Sequence, residues 1–371
     1  GGGRIDSSPV SGDVDGDGYP DLYIAIMGYE EQPTTGKIIH YEYNGASIVE
    51  RGRVQVWHPC AGGLSLCDTD NDGRTELYMN ERDVYFGDGA WGRGTVSFWA
   101  DTLEARWQLY GWGASSNIPM LADVNKDGII DIVTTDLSSG VCVLNSTNGH
   151  PLTNDEGKQL YATRISGRHN HYQSAIYDID RDGNLEVLSG DGFEGNFDFV
   201  SIFDLWDWTL DARIDTVTAV MDGGLGVGGR SWKGPTVGEV TGDGIMDLLI
   251  VTFDHLNNAN QGTLQVYNYN DIDNTFELIY LNTGLRHRAI ESVVQDVDKN
   301  DGGLNEILVL TQGGVIYCFD TPGIASNPRA RSEIQFYSES RTGVSEYVPY
   351  ERPFADISNP SPANEALGVS T

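Results

Sequence analysis

The chain is poor in basic residues. Against 55 Asp and Glu it sets 23 Lys and Arg, which leaves a formal net charge of -32 over 371 residues. Such a surface repels phosphate backbones and excludes nucleic acid as a partner. Cysteine is scarce as well. The four present, Cys60, Cys67, Cys142 and Cys318, cannot staple a chain of this length. Cys60 and Cys67 are near enough in sequence to pair or to stay apart. Cys142 and Cys318 lie in the apolar runs VCVL and YCF and read as buried thiols. No apolar run reaches 18 residues, so no membrane-spanning helix is predicted. No extended 3.6-residue periodicity occurs. Also missing are G-x-S-x-G, H-E-x-x-H and a Gly-rich phosphate loop, and with them the hydrolase, zinc-protease and nucleotide-binding chemistries they serve. The chain starts Gly1-Gly2-Gly3 without Met, so we expect a piece of a longer protein.

What the chain does have is 46 Gly, 39% hydrophobic residues and a nine-residue stretch that comes six times. Asp13 to Asp21 reads DVDGDGYPD. It is followed by DTDNDGRTE (Asp68 to Glu76), DVNKDGIID (Asp123 to Asp131), DIDRDGNLE (Asp178 to Glu186), EVTGDGIMD (Glu239 to Asp247) and the longer DVDKNDGGLNE (Asp296 to Glu306). Oxygen-bearing side chains fall at loop positions 1, 3 and 5. In the regular copies Gly follows at position 6, and an acid stands at position 9. Carboxylates packed this densely repel one another unless a cation sits among them. Alternating hard oxygen donors suit Ca2+, which takes six to eight oxygens at flexible geometry.

The spacing is not that of an EF-hand. That loop needs a bidentate Glu at position 12 between two helices. Position 12 here is Ile24, Met79, Thr134, Ser189 or Ile250, and each loop runs into a β-rich segment such as Leu22 to Ile26. The predicted ligands are Asp13, Asp15, Asp17 and Asp21; Asp68, Asp70, Asp72 and Glu76; Asp123, Asn125, Asp127 and Asp131; and Asp178, Asp180, Asp182 and Glu186. The fifth set is Glu239, Thr241, Asp243 and Asp247, and the sixth Asp296, Asp298, Asp301 and Glu306. Position 7 contributes its backbone carbonyl, from Tyr19, Arg74, Ile129, Asn184 and Ile245. Six divalent ions would cancel about twelve of the negative charges. The bland alternative is that each copy is only a polar Asp/Gly turn.

Motif starts lie 55, 55, 55, 61 and 57 residues apart, a period that points to a propeller or repeat array. Within a period, small residues precede the loop, a strand follows it, and two more strands complete the unit. For the first unit these are Leu22 to Met27, Lys37 to Tyr43 and Arg53 to Trp57. Third strands are expected at Thr95–Trp99, Gly140–Leu144, Phe199–Phe203, Thr263–Tyr267 and Gly314–Phe319. Four short antiparallel strands per period make one blade. The expected fold is an all-β propeller over residues 1–350, with units at about 4–58, 59–113, 114–168, 169–229, 230–286 and 287–350. Six blades close most simply; seven is the alternative. Residues 351–371 hold four Pro and read as a linker.

The six loops in register resemble FG-GAP/VCBS-type repeats, the calcium-bearing blades of integrin α-chain propellers and of many secreted microbial proteins. The likeness spans nearly all of the chain before residue 351. The stretch SNPSPANEALGVST resembles the opening of Ig-like domains in microbial surface proteins. The resemblance implies an extracellular or cell-surface, Ca2+-loaded propeller acting in adhesion or surface architecture. The fifth loop departs through Glu239 and Thr241, and the sixth through two extra residues that leave Asn300 or Asp301 at position 5.

With so few bases, their placement carries information. The loops six to ten residues upstream of each motif hold Arg4, His58, then Arg168, His169 and His171, then Arg230, Trp232 and Lys233, then Arg286, His287 and Arg288. In a propeller equivalent loops share one face. A basic, partly aromatic face would suit an acidic glycan or a carboxylate-bearing surface protein; the alternative is that these side chains cap strands and balance nearby acids. Two other functions stay open. One is a self-assembling subunit of an extracellular filament or surface layer. The other is a calcium-dependent polysaccharide lyase, which the likeness to propeller lyases suggests, with His169, His171, Tyr172 or Arg230 as the catalytic bases. A non-enzymatic module is the expectation.

Overall fold

A computed structural model describes residues 9–27, 36–56, 63–85, 91–110, 118–135, 140–161, 163–164, 174–190, 199–215, 235–253, 261–270, 272–273, 275–297 and 303–324. Among these residues every regular element is a β-strand, and no helix is long and apolar enough to cross a membrane. The strands form six antiparallel sheets in sequence order. Sheet 1 is β1 (Val10–Gly12), β2 (Asp21–Met27), β3 (Gly36–Tyr43) and β4 (Ile48–Val56). Sheet 2 is β5 (Leu64–Cys67), β6 (Glu76–Tyr85), β7 (Trp91–Trp99) and β8 (Ala105–Tyr110). Sheet 3 is β9 (Met120–Ala122), β10 (Asp131–Thr135), β11 (Gly140–Leu144) and β12 (Thr163–Arg164). Sheet 4 is β13 (Ser174–Tyr177), β14 (Glu186–Gly190), β15 (Phe199–Asp204) and β16 (Leu210–Asp215). Sheet 5 is β17 (Thr236–Gly238), β18 (Asp247–Phe253), β19 (Gln261–Asn270) and β20 (Thr275–Arg286). Sheet 6 shows three described strands, β21 (Ala289–Gln295), β22 (Leu304–Thr311) and β23 (Ile316–Ile324). Sheets 1–3 belong to one compact unit and the strands of sheets 4–6 to a second.

Each sheet is a meander whose first turn is the acidic loop. In sheets 1 and 5 the first strand is three residues long and ends in Gly, for a steric reason. A Cβ on Gly12 would come 2.9 Å from Leu66 of sheet 2, and one on Gly238 would come 2.6 Å from Val294 of sheet 6. Apolar side chains then fill the space between neighbouring sheets. Tyr23, Ala25 and Ile38 of sheet 1 pack in one cluster with Leu64, Leu66, Leu77 and Phe98 of sheet 2. Val251, Leu264 and Leu285 of sheet 5 pack with Val294, Ile307 and Phe319 of sheet 6. Burial on both faces accounts for the near-continuous apolar runs of the second strands. Polar staples join the same neighbours: Tyr23 Oη donates to Ala100 O (2.9 Å), Thr236 Oγ1 to Ser292 O (2.9 Å) and Asn305 Nδ2 to Glu239 O (2.9 Å).

The predicted strands stand with small shifts. The fourth strand of sheet 1 starts at Ile48, five residues before its expected start. The strand expected from Gly314 begins at Ile316, because Gly314 lies in a tight turn at φ +74°. Cys142 is buried, but Cys318 is exposed. Strand alternation sends its neighbour Phe319 inward and leaves the thiol outside. Cys60, Trp57, Tyr172, Arg4, His58, residues 351–371 and a fourth strand for sheet 6 fall outside the described residues.

One buried acid lies away from the loops. Glu81 on β6 is held by Gln108 Nε2 at 3.0 Å, and burial pushes its carboxyl up to about 7. The fold therefore keeps the proton that the unfolded chain releases near pH 4.5. The stability tied to this group is complete at low pH and is lost as pH rises through 7. Glu81→Gln should raise the melting point at pH 8, by about 3 kcal/mol in stability terms. The gain should be mostly gone by about pH 5. An equal gain at both pH values in thermal melts would contradict the assignment.

Candidate metal centres

The five regular loops are built alike, and their backbone explains why. Position 6 is Gly at positive φ in every regular copy (Gly18, Gly73, Gly128, Gly183 and Gly244, +82° to +96°). Position 4 is left-handed too: Gly16, Asn71, Lys126, Arg181 and Gly242. Two left-handed residues in so short a loop curl its amides onto its own carboxylates. The N–H of position 6 donates to the position 1 carboxylate, from Gly18 to Asp13, Gly73 to Asp68, Gly128 to Asp123 and Gly183 to Asp178, at 2.9–3.1 Å. The N–H of position 5 reaches position 3, from Asp17 to Asp15, Asp72 to Asp70, Asp127 to Asn125 and Asp182 to Asp180. The N–H of position 7 reaches position 5, from Tyr19, Arg74, Ile129, Asn184 and Ile245, at 2.7–2.8 Å.

The acid that closes each loop, at position 9 in the five regular copies and position 11 in the sixth, lies at the start of the second strand of its sheet and turns back under the loop. One of its oxygens accepts from the backbone N–H of position 2 in all six copies: Val14 to Asp21, Thr69 to Glu76, Val124 to Asp131, Ile179 to Glu186, Val240 to Asp247 and Val297 to Glu306. In four loops the other oxygen is buried with no hydrogen-bond partner: Glu76 Oε1, Asp131 Oδ1, Glu186 Oε1 and Asp247 Oδ1. Buried polar atoms seldom stay unpaired. These side chains are at most 1% exposed. Burial raises their pKa values, to about 7 for Asp131 and about 10 for Glu186, with the neighbouring loop carboxylates adding to the effect. Asp247 is driven well above the usual carboxylate range by burial, then by Asp243 and Glu239. An oxygen-only donor set with an unsatisfied buried carboxylate oxygen fits a hard divalent cation.

The loops differ in how far their carboxylates converge. Asp178, Asp180, Asp182 and Glu186 each bring one oxygen within 4.8 Å of the others; so do Asp13, Asp15 and Asp17, and so do Asp68, Asp70 and Glu76. Asp72 lies outside its group. Among the described residues Asp123, Asp127 and Asp131 form no such group, and neither do Glu239, Asp243 and Asp247. Asn125 turns its amide nitrogen onto Asp127 Oδ2 (2.9 Å). Glu239 Oε1 accepts from Gly242 N (2.5 Å), Thr241 Oγ1 donates to Asp247 Oδ2 (3.2 Å), and Asn268 Nδ2 holds Asp243 (3.0 Å). Asp21 departs from the rest, since its inner oxygen meets His40 Nε2 at 2.6 Å and the imidazole stacks on Tyr23. Asp296 is described, whereas Asp298 and Asp301 lie outside the described residues.

Sequence reasoning missed the side chains that reach these loops from later strands. Asp204, opposite Glu186 in the ladder, forms a further acidic group with Glu186 and Asp211. Glu42, opposite Asp21, is held by Arg51 Nε at 2.6 Å. Arg106 sits 3.8 Å from Glu76 Oε1 and 3.9 Å from Asp70 Oδ2. No fixed offset marks these residues, because the hairpins between second and third strands differ in length.

Of the basic face, Arg286, His287 and Arg288 are described. They span the tight turn from β20 to β21, with Arg286 exposed and His287 at φ +68°. Arg286 N donates to Tyr317 Oη (2.7 Å) and Arg288 O accepts from Gln312 N (2.9 Å). Arg168, His169, His171, Arg230, Trp232 and Lys233 lie outside the described residues.

The fold is shared with a quinohemoprotein alcohol dehydrogenase from Comamonas testosteroni, at 13% identity and a TM-score of 0.50, over 83% of this chain and 59% of that one. The FG-GAP repeat model matches residues 7–41, which contain the first loop and its flanking strands. The fold is a β-propeller, and its first sheet carries an FG-GAP repeat. The FG-GAP match takes in β1, β2 and most of β3. Two other solved structures align more loosely with this chain. A quinohemoprotein alcohol dehydrogenase from Pseudomonas putida HK5 has 8% identity and a TM-score of 0.46, over 84% of this chain and 57% of that one. BamB from Moraxella catarrhalis has 13% identity and a TM-score of 0.42, over 86% and 88%. A search of curated proteins finds no match to the sequence.

Proposed function

We propose that this FG-GAP propeller is an extracytoplasmic, Ca2+-stabilised module that serves adhesion or surface architecture and does no chemistry itself. The observation that carries the calcium reading is the repeated buried carboxylate oxygen without a hydrogen-bond partner: Glu76, Asp131, Glu186 and Asp247. Four instances at one loop position make a shared ligand a better account than four separate packing faults. Oxygen donors alone favour Ca2+ or Mg2+ over transition metals. A loop that takes its shape from its own amides favours the larger, less geometrically demanding ion. Each cation would tie the first strand of a sheet to the second, which is a structural task. Loops of this kind suit a compartment where Ca2+ is plentiful, since extracellular modules bind in the 10⁻⁴–10⁻³ M range.

Calorimetric titration of the metal-free chain tests this. Uptake of at least three Ca2+ per chain is expected, one for each loop whose carboxylates converge, with Mg2+ at equal concentration failing to displace them. Binding of fewer than two Ca2+ at several millimolar would refute the proposal.

A further inference from the structure

In four sheets the third and fourth strands slip register at one equivalent place. The ladder shifts between His40 and Tyr41 in sheet 1, Ser97 and Phe98 in sheet 2, Ile202 and Phe203 in sheet 4, and Val266 and Tyr267 in sheet 5. Each shift leaves one fourth-strand residue unpaired: Arg51, Arg106, Asp211 and Ile279. A bulge of this kind re-aims the side chain of its extra residue. Three of the four then meet the charge around the acidic loop. Arg51 forks onto Glu42, which faces Asp21 across the ladder. Arg106 stands within 4 Å of Glu76 and Asp70. Asp211 completes the acidic group with Glu186 and Asp204.

We infer that, in the sheets where it is charged, this bulge residue sets how tightly the loop holds its cation. The inference rests on the calcium reading above and adds an order to it. In sheet 2 the Arg106 guanidinium is a resident positive charge at the loop. It is held there by Tyr78 Oη and Ser97 Oγ at 3.3 Å and by the Trp99 ring at 4.3 Å, none of which is a loop carboxylate. It neutralises part of the carboxylate cluster and repels an arriving cation. In sheet 4 the same position adds a carboxylate, so the uncompensated negative charge is larger and a cation relieves more of it. Sheet 4 should therefore fill at lower Ca2+ than sheet 2. Sheet 5, with Ile279, has no charge at this position.

The test is a Ca2+ titration of the full chain, read by native mass spectrometry for ion number and by calorimetry for affinity. Removing a charge about 4 Å from the loop carboxylates should shift affinity by at least about tenfold. R106Q should tighten one weak site by that factor, whereas R106K, which keeps the charge, should leave it weak. D211N should weaken one tight site several-fold. The number of bound ions should not change in any variant. Site affinities equal to wild type in both R106Q and D211N would overturn the inference. So would equal tightening by R106Q and R106K, since packing and not charge would then be responsible. A wild-type chain that takes up no Ca2+ overturns the calcium reading itself, a result distinct from normal uptake with unaltered affinities.

Discussion

Excess chelator is expected to lower the melting temperature of this chain by roughly 10 °C or more. A ligand present at tenfold its dissociation constant adds about 1.4 kcal/mol per site. Six sites give roughly 8 kcal/mol, comparable to the stability of an ordinary domain. The structural basis is that in four loops the ninth-position acid joins the loop to the second strand by one oxygen and leaves the other buried without a hydrogen-bond partner. Without a cation the loop carboxylates repel one another beneath a strand that cannot move away. Melts followed by circular dichroism with and without chelator measure the effect, and re-addition of Ca2+ should restore it while Mg2+ should not. Superimposable curves would mean that the loops are held by their amide contacts alone.

Replacing Asp247 by Asn should change stability in opposite directions with and without Ca2+. Asp247 is fully buried at the start of β18. Its Oδ2 accepts from Val240 N at 3.0 Å and its Oδ1 has no partner. In calcium the Asn variant gives up a negative ligand, and the loss of its ion should destabilise sheet 5 by about 1–2 kcal/mol. In chelator the same change removes a buried carboxylate with nothing to pair it, while the amide oxygen still accepts from Val240. Stability should then rise by about 1–2 kcal/mol. The crossing separates a metal ligand from a residue that only fills space. Denaturant unfolding in both buffers reads it directly, and a loss of equal size in both would rule out the ligand role.

Much of the loop was legible because its chemistry is local. Asp13, Asp15 and Asp17 lie within five residues of one another, and so do their counterparts, so spacing alone places their oxygens around one turn. The acid at position 9 and the apolar residues behind it marked where the second strand begins. Other features were opaque for definite reasons. The left-handed backbone at position 4 falls on Lys126 and Arg181, whose side chains give no hint of it. The exposure of Cys318 follows from strand phase, which a three-residue apolar run cannot reveal. The looser convergence of the third loop, where Asp123, Asp127 and Asp131 do not gather, leaves no mark in its spacing, which matches that of the loops that do converge.

The amino-acid order by itself determined the repeat, the four-strand meander and the carboxylates of each loop, since all three arise from contacts within a few residues. Only the tertiary structure decided that His40 meets Asp21, that Arg106 stands beside Glu76, and that Asp204 and Asp211 gather at Glu186. Those meetings depend on hairpin length and on a one-residue slip between the third and fourth strands. Both vary from sheet to sheet and leave no regular spacing along the chain.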